Sequence, residues 1–342
     1  MMGRALFLKS LAAGASAFAT SPVTIGTGGI DVWDPLSPQI RVLVASDTRG
    51  ETPQVAPDGT FAFGGKRWRG APSTVGSPDG KMMLVTTIDV DQYLQGVVPL
   101  ESPPSWPAAA LEAQAIVART FALAKRSLSR PYDVRADDAD QHWGGVDAEH
   151  PSSSAAVQAS RGKTVVYNGG PASVFYSSCC GGHTADISTV WNGAPLPYLR
   201  GVDDPHCAPA PDYRWSRTVP LDRAVAAFGA RTGGTLVGTA LTEPDPTGRP
   251  RGVALLGTTT ATIPVADFRK ALGYDVVRSL WLRAVRIDAS QPQAPPRLVI
   301  EGSGRGHGVG LCQWGARYLA SSGASANEIV AFYFPGTTVT NG

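Results

Sequence analysis

The feature that most restricts the fold is GSGRGHGVGLCQWGA, residues 302–316, in which glycine recurs at every second position from Gly302 to Gly310. Glycine loses more conformational freedom on folding than other residues. Five at this spacing therefore imply backbone that adopts conformations closed to side chains, or that lies flush against a partner segment. The segment is not a dinucleotide loop, because Gly302, Gly304 and Gly306 do not continue into G-x-G-x-x-G, and it lacks the Gly-Lys-Ser/Thr of a P-loop.

The surrounding chain suits such a segment. With 39 glycines and 28 prolines in 342 residues, and many short Val/Thr/Leu runs, it favours turns and strands over a helical bundle. A 43% hydrophobic content supplies a full core. The net charge of +2, without any Lys/Arg run interleaved with aromatics, argues against a nucleic-acid partner. The expected fold class is mixed α/β of the α+β kind, strand-rich around one main helix.

Arg4 and Lys9 precede the apolar run Leu11 to Ala19, which closes on Ala17-Phe18-Ala19, so residues 1–19 read as an export signal. RALFLK, residues 4–9, resembles a twin-arginine signal without its second arginine, which leaves the route open. No other run reaches the length of a membrane span, and the mature chain is expected outside the cytoplasm with no membrane span.

Residues 20–39, rich in proline and glycine, read as a linker, and IRVLVA (Ile40 to Ala45) opens the folded part. Strands are expected at Phe61 to Phe63 and Met82 to Val85. A helix capped by Ser105, with Pro107 in its first turn, presents Ala113, Val117, Phe121, Ala124 and Leu128 and stops near Arg130-Pro131. KTVVY and ASVFYSS are further strands. Residues 214–270 form an accessory region, RLVIEG is a strand, and Gln313 to Ala320 and NEIVAFYF are helices.

The four cysteines, Cys179, Cys180, Cys207 and Cys312, make a disulfide the first expectation in an exported chain, with the pairing open, although adjacent Cys179 and Cys180 are poor partners for each other. A metal reading would draw on Cys180, His183, His206 and Cys207, but they match no standard zinc spacing. No metal or other cofactor is expected. A Ser/His hydrolase built on Ser177, Ser178 and His183 lacks the G-x-S-x-G elbow.

Four segments in order, GVVPLESPPSWPAAALEAQAIVARTFAL, DADQHWGG, VFYSSCCGGHTADISTVW with PYLRGVDDP, and GRGHGVGLCQWGA with FYFPGT, strongly resemble the SpoIID/LytB family over about residues 40–340. The resemblance implies work on bacterial peptidoglycan and a divided family: the SpoIID-type member is a lytic transglycosylase, whereas the LytB-type member enhances a wall amidase. The family's catalytic glutamate falls on Glu101, with Ser102 where methionine is usual. Some members hold zinc through a His…Cys…His-Cys cluster just before the glutamine that corresponds to Gln141. Here that stretch is YDVRADDADQ, without Cys or His, so the zinc is not carried over.

Non-hydrolytic cleavage of the MurNAc–GlcNAc backbone needs one group to protonate the leaving oxygen and then to take the proton of the muramic C6 hydroxyl. One carboxyl can do both, aided by the sugar's N-acetyl oxygen. Val97, Val98, Pro99, Leu100, Pro103 and Pro104 give Glu101 an apolar sequence neighbourhood that suits an acid. Arg119 pairs either with Glu101, with substrate or in a structural ion pair. Gln141 offers amide hydrogen bonds, with His142 and Trp143 beside it for a sugar ring, Trp143 being equally suited to a core. Ser177, Ser178, His183, Arg305, His307 and Gln313 are the remaining expected glycan contacts, Arg305 for a lactyl or peptide carboxylate. The glycine loop is a substrate wall or, alternatively, tight backbone packing with His307 satisfied inside. The two functional readings are a transglycosylase, acting on glycan strands with or without stem peptides, and a noncatalytic glycan-binding activator of a cell-wall amidase.

Overall fold

The computed structural model describes residues 38–341 apart from 192 and 292; residues 1–19, read above as an export signal, and most of the expected linker lie outside the described residues. The fold is mixed α+β, with several small sheets. The chain divides into two compact units. One comprises the chain up to Val174, Gly323–Ala331 and the residues from Gly336 on, and the other Phe175–Ser322 with Phe332–Pro335.

In the first unit, strand Gln39–Ala45 lies antiparallel to Met82–Asp89 and parallel to Val134–Arg135, and Ala71–Gly76 completes the sheet beside Met82–Asp89. Its alternation is set by sequence: Ile40 and Val42 are buried, while Arg41 between them turns to Asp133 at 2.7 Å. Met82–Asp89 runs directly into helix α1 (Val90–Glu101), whose first turn is capped by Asp89 accepting from the backbone N–H groups of Asp91 and Gln92. α1 was not legible as a helix because Pro99 reads as a turn. It is tolerated in the last turn, three residues before the chain leaves at Ser102.

Helix α2 (Ala108–Ala124) packs on α1 and on α3 (Pro151–Ala159). Its alanines 110, 113, 115, 118 and 122 are all buried, so neighbours approach on several sides. The sequence reading of this helix needs two corrections. Pro107, not Ser105, occupies the N-cap, and the helix stops at Ala124, leaving Leu128 90% exposed. The Asp133 carboxylate accepts the Ser127 N–H at 2.9 Å, and Arg130 donates to the Lys125 carbonyl at 2.7 Å, which draws the chain into a turn.

The second unit contains the five-residue α4 (Ile187–Trp191), α5 (Leu221–Thr232), α6 (Val265–Leu272) and α7 (Gln313–Ser321). The last helix, α8 (Ala326–Tyr333), follows. Strands Trp215–Pro220, Arg297–Ser303 and Trp281–Asp288 form an antiparallel sheet centred on Arg297–Ser303. Residues 214–270 share their core with these later strands: one apolar cluster runs from Trp215 through Phe228 and Phe268, stacked at 5.2 Å, to Ile300. Of ASVFYSS, only Tyr176–Ser177 is strand, paired in parallel with Leu311–Cys312 at the end of the glycine stretch.

Candidate functional site

Glu101 is the last residue of α1 and is half-buried. The chain that follows it is fixed at two points. Buried Ser102 donates its N–H to the Val98 carbonyl at 2.9 Å, and Ser152, in the first turn of α3, donates its hydroxyl to the Pro104 carbonyl at 2.6 Å. The segment DQHWGG lies flush along the same helix. A Cβ on Gly96 would come within 2.6 Å of the Trp143 indole nitrogen, one on Gly144 within 2.8 Å of Leu100, and the Gly144 N–H donates to the Gly96 carbonyl at 3.1 Å.

Within that segment the expected sugar contacts separate. Gln141 is fully buried, with its Nε2 donating to the Ala118 carbonyl at 3.3 Å and its Oε1 3.4 Å from the Tyr93 hydroxyl, so it ties α1 to α2. Trp143 is core, 5.0 Å from Trp68 and 5.4 Å from Tyr93 between ring centres. His142 stays accessible beside Asp138 at 3.0 Å, on a pocket of about 330 Å³ lined also by Lys66, Trp68 and Asp137. Arg119 takes the structural ion pair: it is 1% exposed, 2.6 Å from Asp91, and donates to the carbonyls of Ser160, Lys163 and Val157.

In the second unit the alternating glycines have a definite cause. Gly304, Gly306, Gly308 and Gly310 all have positive φ, and a Cβ on Gly310 would sit 2.2 Å from the Phe175 carbonyl oxygen. The stretch bonds to several segments: Cys179 and Arg305 exchange both backbone bonds, the Gly308 N–H donates to the Ser177 hydroxyl at 3.2 Å, and the N–H groups of Gly304 and Gly306 donate to the carbonyls of Asp212 at 2.8 Å and Arg278 at 2.9 Å. The packing alternative is the one realised. His307 is buried, its Nδ1 accepting the Val309 N–H at 3.0 Å and its ring 5.0 Å from that of Trp191. Burial, reinforced by the charges of Arg269 and Arg249, pulls its imidazole down to about 3, so it is neutral.

The other expected contacts are placed as follows. Arg305 faces Asp212 at 3.2 Å, with Arg278 on the second oxygen of that carboxylate. Gln313 is buried as the first residue of α7. The carbonyl of half-buried Ser178 accepts the Trp314 N–H at 3.0 Å, and His183 Nδ1 bonds the Thr184 carbonyl at 2.6 Å. The expected disulfide is not formed. All four cysteines are buried free thiols, and the sulfurs of Cys180 and Cys207 stand 3.5 Å apart, well beyond the ~2.05 Å of a bond.

Sequence reasoning missed two residues here. Arg249, 4% exposed, comes from the Pro/Gly-rich turn of residues 243–252 and donates to the carbonyls of Cys180, His183 and Thr184, so the accessory region braces the Cys-Cys-Gly-Gly-His loop. Burial draws its guanidinium down to about 10, still charged at neutral pH. Asp204 is a wholly buried carboxylate among the thiols, 3.1 Å from Cys180 Sγ. The signal was its position three residues before Cys207, at the edge of the quoted PYLRGVDDP.

Residues 78–167 match the family described as Stage II sporulation protein. An uncharacterised protein of Brachyspira hyodysenteriae is 32% identical over 76% of this chain and 69% of its own length. The amidase enhancer of Bacillus subtilis is 29% identical over 72% of this chain, which spans only 40% of that protein. Stage II sporulation protein D of Bacillus amyloliquefaciens is 27% identical over 93% of this chain and 96% of its own length. The chain belongs to the SpoIID/LytB family.

Proposed function

We propose that this chain is an exported peptidoglycan lytic transglycosylase in which Glu101 is the general acid and then the general base. The observation that carries the reading is the docking of DQHWGG along α1. It fixes the last turn of the helix that ends on the half-buried Glu101, with Gly144 packed against Leu100. Proton transfer to the glycosidic oxygen breaks the MurNAc–GlcNAc bond. The carboxylate then takes the C6 hydroxyl proton as that oxygen closes on C1, leaving an anhydromuramyl end.

In this reading Arg119 and Gln141 hold α1 in place, and accessible His142 offers a glycan contact. Within the second unit the glycine loop is braced by Ser177 and His307. The export signal of residues 1–19 directs the chain to the compartment of its substrate. Among the described residues no helix is long and apolar enough to cross a membrane. The second reading, a glycan-binding modifier of a wall amidase, draws on the likeness to the amidase enhancer of Bacillus subtilis.

The test is incubation of the chain and its Glu101→Gln variant with purified glycan strands, intact and stripped of peptides, with products analysed by mass spectrometry. Anhydromuramyl products from the wild type, reduced about 10²- to 10⁴-fold in the variant, are expected. Binding to both substrates without release from either replaces the enzyme reading with the amidase-modifier one.

A further inference from the structure

Cys180, Asp204, Cys207 and Cys312 place one ligand atom each within 4.8 Å of all the others, and every one of these residues is buried. The set is drawn from three places: the turn after Tyr176–Ser177, the Asp204–Cys207 turn, and the entry to α7. The two histidines considered from sequence are absent from it, because His183 bonds the Thr184 carbonyl and the ring of His206 lies edge-on to Phe332.

We infer that Cys180, Asp204, Cys207 and Cys312 form a tetrahedral zinc site that clamps the Cys-Cys-Gly-Gly-His loop to the start of α7. The site is independent of the reading of Glu101. Three observations carry it. First, the spacing fits: zinc–sulfur bonds of about 2.3 Å and a zinc–oxygen bond of about 2.1 Å give tetrahedral edges of roughly 3.6–3.8 Å. Two of the edges here are 3.5 Å between Cys180 and Cys207 sulfurs and 3.1 Å from Cys180 Sγ to Asp204 Oδ2, close enough to accept an ion with small outward shifts.

Second, Asp204 is a buried carboxylate whose Oδ1 has no hydrogen-bond partner, an arrangement that costs several kcal/mol unless a cation meets it. A disulfide would use two of the thiols and leave that oxygen as it is. Third, the outer donors are in place: the Tyr333 hydroxyl donates to Asp204 Oδ2 at 3.0 Å, and the Cys180 N–H donates to Cys312 Sγ at 3.2 Å. Such partners orient and stabilise anionic ligands. Soft thiolates with one carboxylate select zinc over calcium or magnesium. All four positions are filled by protein, so the role is structural, and binding releases the three thiol protons to solvent.

The full chain, purified under reducing conditions and dialysed against EDTA, is expected to retain one zinc per chain by mass-spectrometric metal analysis. Cobalt added to the stripped chain should give thiolate charge-transfer and tetrahedral ligand-field bands, a readout that needs no variant. Tyr333→Phe should weaken zinc about tenfold in competition with a chromophoric chelator. Asp204→Asn and Cys207→Ser should lose retention, and Cys179→Ser should keep it. A metal-free chain lighter than its reduced form by two hydrogens per bridge would replace the site with disulfides. Absence of both zinc and cobalt bands with free thiols overturns it, as does zinc that survives Asp204→Asn but is lost in Cys179→Ser.

Discussion

Each unit buries a guanidinium beside a motif of interest; both donate to backbone carbonyls, and they differ in the side chain that joins them. Arg119, 1% exposed, meets the carboxylate of Asp91 at 2.6 Å, on a helix that packs against its own. Arg249, 4% exposed, meets backbone carbonyls of a loop and the hydroxyl of Thr247 at 2.8 Å. The first guanidinium adds a carboxylate on a neighbouring helix to its backbone carbonyls, the second a neutral hydroxyl. Removing one charge therefore has different consequences. Arg119→Met leaves a buried carboxylate, with only half-exposed Arg161 at 3.7 Å to meet it, and is expected to cost about 3–5 kcal/mol. Arg249→Met leaves neutral carbonyls and should cost about 1–3 kcal/mol. Denaturant unfolding of both variants decides it. Arg119→Met with Asp91→Leu should recover most of the first loss, and failure to recover would mean that the ion pair is not what holds α1 to α2.

Two glycines with the same φ sharpen the contrast between conformation and close packing. Gly169, in the first unit, and Gly304, in the second, both have φ of +81°. A Cβ on Gly169 meets nothing within 4 Å, whereas one on Gly304 would lie 2.5 Å from the Cys179 carbonyl oxygen. Gly169→Ala should cost about 1 kcal/mol, the left-handed backbone term alone. Gly304→Ala should add about 1–3 kcal/mol of overpacking against backbone that cannot step aside. Equal losses in urea midpoints would reduce the alternating glycines to a matter of φ.

The same contrast explains what was legible. Strands such as Lys163–Tyr167 and Arg297–Ser303 and helices such as α7 and α8 follow from period and punctuation, which act locally. α1 was hidden because Pro99 outweighs, in a local reading, the Asp89 cap and the buried Tyr93, Leu94, Val97 and Val98 that hold the helix. The glycine spacing announced close approach, but its partner, the Cys179–Gly181 backbone, is more than a hundred residues away. Arg249 and Asp204 carried little signal, since charged residues in proline-containing turns normally face water. Only tertiary structure shows their burial.

A smaller and graded effect separates the two regions by pH. His307 is neutral in the folded second unit because burial lowers it to about 3 from an ordinary 6.5, whereas the unfolded chain protonates it near the latter value. Between those limits the unfolded state binds the extra proton. The stabilisation is therefore complete above about pH 6.5 and is lost as pH falls toward 3, with a limiting slope of about 1.4 kcal/mol per pH unit. His307→Gln, which keeps a side-chain acceptor for the Val309 N–H, should flatten the stability profile between about pH 6 and pH 4 by up to that slope. If His307→Gln leaves the slope unchanged, His307 is not held neutral by its burial, and the glycine loop encloses it less tightly than the ring contacts with Trp191 and Phe175 require.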